Sequence, residues 1–263
     1  MQRWVNEQAQ EGKAAKTIRR VISEVRGYWS YLQTIQAAPE EAFPFDKLKV
    51  ENGRKVTRQA FDPLDVVKLR AAALTLDKKR GQELADLIEL AMYTGCRIEE
   101  LCALKLEHVN GEAIKIVDAK TEAGLRDVPI HPKLNATLAR LRGERRKGYL
   151  LASLTANKYG DRSGAIGTRF GRLKTRLGYG EEHVFHSIRK TVATMLENAG
   201  VPENVSADIL GHDKPTMTYG LYSGGTSLKV RAEAIGRLRY PAPQKGDVAA
   251  KPESLLTATG VIW

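Results

Sequence analysis

Three short stretches carry side chains capable of chemistry: YTGCRIEEL, with Arg97 followed by Glu99 and Glu100; HSIRK, with His186 and Arg189; and LGHDKPTMTYGLYSGG, with His212, Tyr219 and Tyr222. Arginine offers a permanently charged planar fork that matches phosphate oxygens. Histidine exchanges a proton near neutrality, and a phenol can act as a nucleophile. Together these residue types could hold a phosphodiester and attack it. Two of the stretches also have a plainer reading by themselves: Arg97 as a surface arginine paired to a neighbouring glutamate, and His186 and Arg189 as the solvated side of a helix. The fixed order of the pieces weighs against coincidence.

The elements that must position these residues are mostly helical. In FDPLDVVKL, Asp62 is placed to cap a helix with Pro63 at its first position. GQELADLIELAMYTGCRIEELCALKLEHV carries two apolar-periodic segments hinged at Thr94-Gly95, where glycine is a natural helix stop. AIKIVDAK and LRDVPI are β-rich runs separated by TEAG, which predicts a hairpin. After His186 the period is helical again, with Ile188, Val192, Met195, Leu196 and Ala199 on one face and His186 and Arg189 roughly opposite. A second helix ends at Leu210-Gly211, and SLKVRAEAIGRLRYP predicts one more. Near the N-terminus, residues 14–36 space Ile18, Val21, Ile22, Val25, Trp29, Leu32 and Ile35 as an amphipathic helix with a basic flank. The predicted class is mainly α with a small antiparallel β-sheet.

Lysine and arginine outnumber aspartate and glutamate 42 to 31 over the 263 residues, a net charge of +11, which favours a polyanionic partner, most simply nucleic acid. Cys96 and Cys102 fall on what reads as one helical segment and point different ways around it, so neither a disulfide framework nor a metal knuckle follows. The N-terminus lacks the apolar core of a signal peptide, and no run long enough to span a membrane occurs, so a cytoplasmic location is expected.

With its T-G-x-R-x-x-E-L segment, a hairpin with a lysine before its turn, H-x-x-R, then L-G-H and a tyrosine, the chain resembles the tyrosine recombinase, or phage integrase, family over roughly residues 60–235. The resemblance implies a mainly helical catalytic domain with a small sheet, preceded by a helical core-binding domain, the two clamping duplex DNA. It implies a site-specific recombinase of a prophage or mobile element, located at the bacterial nucleoid, that breaks and rejoins strands through a 3′-phosphotyrosine. Arg97 and Arg189 match the arginines that neutralise the non-bridging oxygens. Lys120, in DAKTEAG, matches the general acid that protonates the leaving 5′-oxygen, its pKa lowered by neighbouring arginines. His186 and His212 complete the pocket, Glu100 orients Arg97, and Tyr222 is the nucleophile. No metal or cofactor is implied. The implied partners are attachment-site DNA, further protomers in a tetramer, and accessory DNA-bending or directionality proteins. Type IB topoisomerases use a similar pocket to nick and reseal one strand, and a DNA-binding module without chemistry is the alternative of another class.

The chain departs from the family pattern in two ways. The usual tyrosine stands nine residues after the L-G-H histidine, a position held here by Leu221; Tyr222 is ten away and Tyr219 seven. Tyr222 needs the smaller change and lies in a Y-S-G-G context with backbone freedom, so Tyr219 is assigned to packing. Residues 1–58, a partial core-binding region and linker, are also shorter than the 80 to 100 or so residues of a full domain. The catalytic domain is expected over 59–240 and a tail over 241–263. Arg169, Arg172, Lys174 and Arg176 are candidates for DNA phosphate contacts, with a solvated helix face as the alternative for each.

Overall fold

The computed structural model describes residues 1–51, 56–119, 122–212 and 224–242, so Lys120, Tyr219, Tyr222 and residues 243–263 lie outside the described residues. The chain divides into two units, Met1–Thr57 and Arg58–Trp263.

In the first unit, α1 (Gln2–Gln10) and α2 (Ala15–Thr34) meet around Val5, Ile18 and Ile22, with Trp4, Leu48 and Val50 packed beside them. The helix over 2–10 was not legible in so polar a stretch, where Trp4 and Val5 supply nearly all the apolar surface. The predicted stripe on α2 is buried only in its first half, and Ile35 lies exposed beyond the helix end. Further along, Trp29 donates from Nε1 to the Ala42 carbonyl at 2.8 Å and packs edge-on against Phe45.

In the second unit, α3 (Pro63–Leu74) and α4 (Lys78–Thr94) pack closely together. Asp62 stands at the α3 N-cap with Pro63 following, but its side chain makes no capping bond. The entry is held instead by Thr191, whose hydroxyl accepts from the Phe61 amide at 3.0 Å and donates to the Phe61 carbonyl at 2.7 Å. A short helix α5 (Ile98–Cys102) leads to strands β1 (Ala113–Ile116) and β2 (Arg126–Pro129), antiparallel in the register Ile114↔Val128 and Ile116↔Arg126. The strands are shorter than the predicted runs. β1 stops at Ile116, and the described part of the connection includes a 3₁₀ turn at Glu122–Gly124.

Helices α6 (Asn135–Arg142), α7 (Gly164–Arg176), α8 (His186–Asn198), α9 (Glu203–Leu210) and α10 (Leu228–Ile235) complete the described unit. Its core joins Val66 and Leu69 of α3, Leu84, Leu87 and Ile88 of α4, Val128 of β2, and Ile188, Val192 and Leu196 of α8. Such burial, at about 25 cal/mol per Å² of apolar surface, is the main stabilising term. The architecture is mainly α with one small antiparallel sheet.

Candidate active site

Two helix ends build the site. At the end of α4, Thr94 donates its hydroxyl to the Leu90 carbonyl at 2.6 Å and accepts from the Cys96 amide at 3.2 Å. Gly95 then turns left-handed at φ 63°, ending the helix, and Arg97 stands at the N-cap of α5. A Cβ at Gly95 would lie 2.5 Å from Leu210 Cδ2, so this position needs glycine for both conformation and space. The end of α9 repeats the device: Gly211 takes φ 67°, and the amides of Gly211 and His212 both donate to the Ala207 carbonyl, at 2.8 and 3.0 Å. The break at Gly95 also separates Cys96 from the helix that carries Cys102, in place of the single segment expected; both are buried free thiols.

Each of these glycines accepts a guanidinium on its carbonyl. Arg97 donates from NH2 to the Gly211 carbonyl at 3.3 Å, and Arg189 donates from NH1 to the Gly95 carbonyl at 2.9 Å. Helix C-termini carry partial negative charge, so cations are stabilised there. Glu100 fixes Arg97 twice, its Oε2 accepting from the Arg97 amide at 2.8 Å and its Oε1 from NH1 at 2.7 Å.

Arg189 departs from the solvated-face reading. It is 3% exposed. Its Nε and NH2 are buried with no hydrogen-bond partner among the described residues. A buried unpaired guanidinium donor is costly, so these two nitrogens point to an anionic ligand. Burial, reinforced by the charges of Arg97 and Arg126, pushes the Arg189 pKa down to about 10.

His186, at the start of α8, and His212, just past Gly211, are the exposed members of the cluster. Both imidazoles have pKa values below the usual 6.5, through partial desolvation first and then the positive charges of Arg189 and Arg97. Glu100 shifts the other way: burial opposes its charge, but hydrogen bonds and charge from Arg126 and Arg97 hold its carboxyl below the ordinary glutamate value. The structure thus brings Arg97, Glu100, His186, Arg189 and His212 together.

The α7 candidates do not behave alike. Arg169 is committed to Glu83 at 2.8 Å and the Arg80 carbonyl at 3.1 Å, and Lys174 donates to the Gly180 carbonyl at 2.6 Å. Both therefore anchor the protein to itself. Arg172 and Arg176 are exposed.

Sequence reasoning missed Arg126, whose side chain is 4% exposed and paired with Glu100 at 3.0 Å. A signal for it existed: in LRDVPI, Arg126 and Val128 share one face of the strand, and Val128 is fully buried.

Comparison with known proteins addresses the fold and the family. Residues 59–226 match the profile of the Phage integrase family. A "Tyrosine recombinase XerC-like" protein of Caldanaerobacter subterraneus subsp. tengcongensis is 24% identical over 266 residues, covering 85% of this chain; the chain spans 66% of that relative's length. Among solved structures, the Tn1549 transposon integrase in complex with circular intermediate DNA superposes with a TM-score of 0.61 at 22% identity, covering 88% of this chain and 83% of that one. A lambda integrase tetramer bound to a Holliday junction gives 0.60 at 20% identity, covering 81% of this chain and 62% of that one. These structural likenesses establish the fold, and with the profile match spanning most of the chain, the protein belongs to the phage integrase family.

Proposed function

We propose that this protein is a site-specific DNA recombinase that cleaves and rejoins strands through a covalent 3′-phosphotyrosine, in the integration or excision of a prophage or mobile element. The observation that carries the reading is Nε and NH2 of Arg189, buried and without a hydrogen-bond partner among the described residues, beside Arg97, His186 and His212. This is an anion pocket built before any anion arrives. Preorganised donors of this kind stabilise charge as it develops on a phosphorane without reorganising at the moment of reaction.

In the proposed reaction the Tyr222 oxygen attacks phosphorus as the bond to the 5′-oxygen breaks. Arg97 and Arg189 hold the non-bridging oxygens, and His212 donates to one of them. His186, its pKa held below 6.5 in the free protein by partial desolvation and the charges of Arg189 and Arg97, receives the phenolic proton, while Lys120 supplies a proton to the leaving 5′-oxygen. The phosphotyrosine conserves the bond, so a different 5′-hydroxyl can reverse the attack without ATP. DNA attachment sites, a tetramer on DNA and accessory DNA-bending proteins are the proposed partners, in the cytoplasm. The excess of basic residues supports a polyanionic partner, and Arg172 and Arg176 are proposed to contact phosphate.

The test is trapping on a nicked suicide duplex carrying an attachment site, in EDTA, with wild type, Tyr222→Phe and Tyr219→Phe in parallel. A covalent adduct lost only in Tyr222→Phe supports the whole reading. Loss only in Tyr219→Phe moves the nucleophile, and relaxation of supercoiled DNA without strand exchange would replace recombinase by topoisomerase.

A further inference from the structure

Arg126 has no part in the chemistry above, yet it touches three stretches that surround the site: the end of α9, the hairpin connection and the segment from Cys96 to Glu100. It stands at the start of β2 opposite Ile116. Its Nε donates to the Ile209 carbonyl at 2.7 Å, near the end of α9. NH1 donates to the Gly124 carbonyl at 2.7 Å, in the 3₁₀ turn of the hairpin connection, and to Glu100 Oε1 at 3.3 Å. NH2 donates to Glu100 Oε2 at 3.0 Å and lies 3.4 Å from Cys96 Sγ, next to Arg97 in sequence. The backbone at Gly211 passes so close that a Cβ there would come within 2.8 Å of NH1.

A buried ion pair contributes little net stability compared with an apolar filling of the same volume. What the guanidinium supplies is direction, because its planar donors reach a carboxylate and two carbonyls at once, which a lysine ammonium on its flexible stem does not. Glu100 is the receiving end. Its two oxygens accept from Arg126 on one side and from the Arg97 amide and NH1 on the other.

We propose that Arg126 is the positioning residue of the site: it sets the hairpin turn and the end of α9 in register against Glu100, and through Glu100 it fixes Arg97 for phosphate. The catalytic consequence rests on the recombinase reading, whereas the positioning itself does not.

The experiment uses the full chain with Arg126→Lys, Glu100→Gln and the double variant. Three quantities are measured: hydrogen exchange at the Arg97 backbone amide against the Leu90 and Ile188 amides, single-turnover adduct formation on the suicide duplex, and affinity for that duplex. In Arg126→Lys, Arg97 amide exchange is expected to accelerate by about tenfold or more, the worth of one hydrogen bond to a charged group, while Leu90 and Ile188 stay as in wild type. Adduct formation is expected to slow by a similar factor at unchanged DNA affinity. The double variant should be no slower than Arg126→Lys, because both changes interrupt one chain of contacts.

Unchanged exchange at Arg97, equal acceleration at Leu90 and Ile188, or fully additive kinetic losses would each overturn the proposal. Should the lysine protein not fold, Arg126→Gln, which keeps amide donors without the charge, takes its place under the same criteria. Wild type that forms no adduct, yet shows Arg97 protection dependent on Arg126, would overturn the recombinase reading and leave the positioning relation standing.

Discussion

Arg189 and Gly95, 94 positions apart in sequence, are joined by a single hydrogen bond of 2.9 Å from NH1 to the glycine carbonyl. That bond uses one edge of the guanidinium and leaves Nε and NH2 buried and unpartnered among the described residues. Arg189→Lys keeps a charge but lacks the planar fork that bonds Gly95 from one edge and presents Nε and NH2 in fixed directions from the others. Adduct formation is expected to fall by about a hundredfold, the usual effect of losing a preorganised donor, while affinity for duplex DNA changes by less than about threefold because most phosphate contacts remain. Single-turnover trapping and a binding titration on the same duplex check this, and equal losses in both would argue against a role specific to the reacting phosphate.

Gly95→Ala is expected to destabilise the protein by about 2–3 kcal/mol, combining a left-handed backbone with overpacking. The added methyl would lie 2.5 Å from Leu210 Cδ2 and 3.2 Å from Val192 Cγ1. Urea unfolding should show a lower midpoint at unchanged slope. A neutral result would mean that the α4 and α9 ends separate easily.

Glu100 links stability to acid. Its folded pKa is lowered from 4.5, so its contribution is fully present above that value and is lost as pH falls through the lower folded value. Denaturation followed from neutral pH to the acid side of 4.5 should therefore show a slope that is reduced in Glu100→Gln. An unchanged slope in the variant would assign the acid sensitivity to other carboxylates.

The two histidines act in the opposite direction from a salt-bridged histidine. Their folded pKa values lie below 6.5, so the unfolded chain binds more protons just below that value, and stability should decline as pH falls through it. A bound phosphodiester adds negative charge and should raise both pKa values, so DNA affinity should increase as pH falls through the same range. Imidazole NMR titrations with and without duplex DNA test this directly. Identical titration curves in the two states would place the DNA phosphate away from both rings.

Much of this was legible because it is local. Thr94-Gly95 and Leu210-Gly211 announce helix ends through glycine alone, and the apolar period after His186 gives α8 its inward face. What was not legible depends on partners distant in sequence. Arg189 stands three residues before Val192 and seven before Leu196, so helical spacing sets it beside the apolar stripe and not opposite it as expected, but nothing in HSIRK reveals that the carbonyl of Gly95 and the charges of Arg97 and Arg126 meet it there. Arg169 looked free for DNA because Glu83, 86 positions earlier, is what holds it. Asp62 read as a side-chain cap, whereas Thr191 on α8 does the holding.

Because both guanidiniums hang on carbonyls at points where helices stop, the site is sensitive to chain length more than to surface chemistry. Adding or removing one residue inside α4 or α9 would swing the terminal carbonyl by about 100° around the helix axis, one residue's share of a turn, and carry the arginine's anchor out of reach. The exposed loop over residues 155–160 carries none of the site residues and is under no such constraint. Insertions and deletions should therefore be tolerated in that loop and excluded from those two helices, a rule that a linker-scanning library scored for DNA cleavage would read out directly.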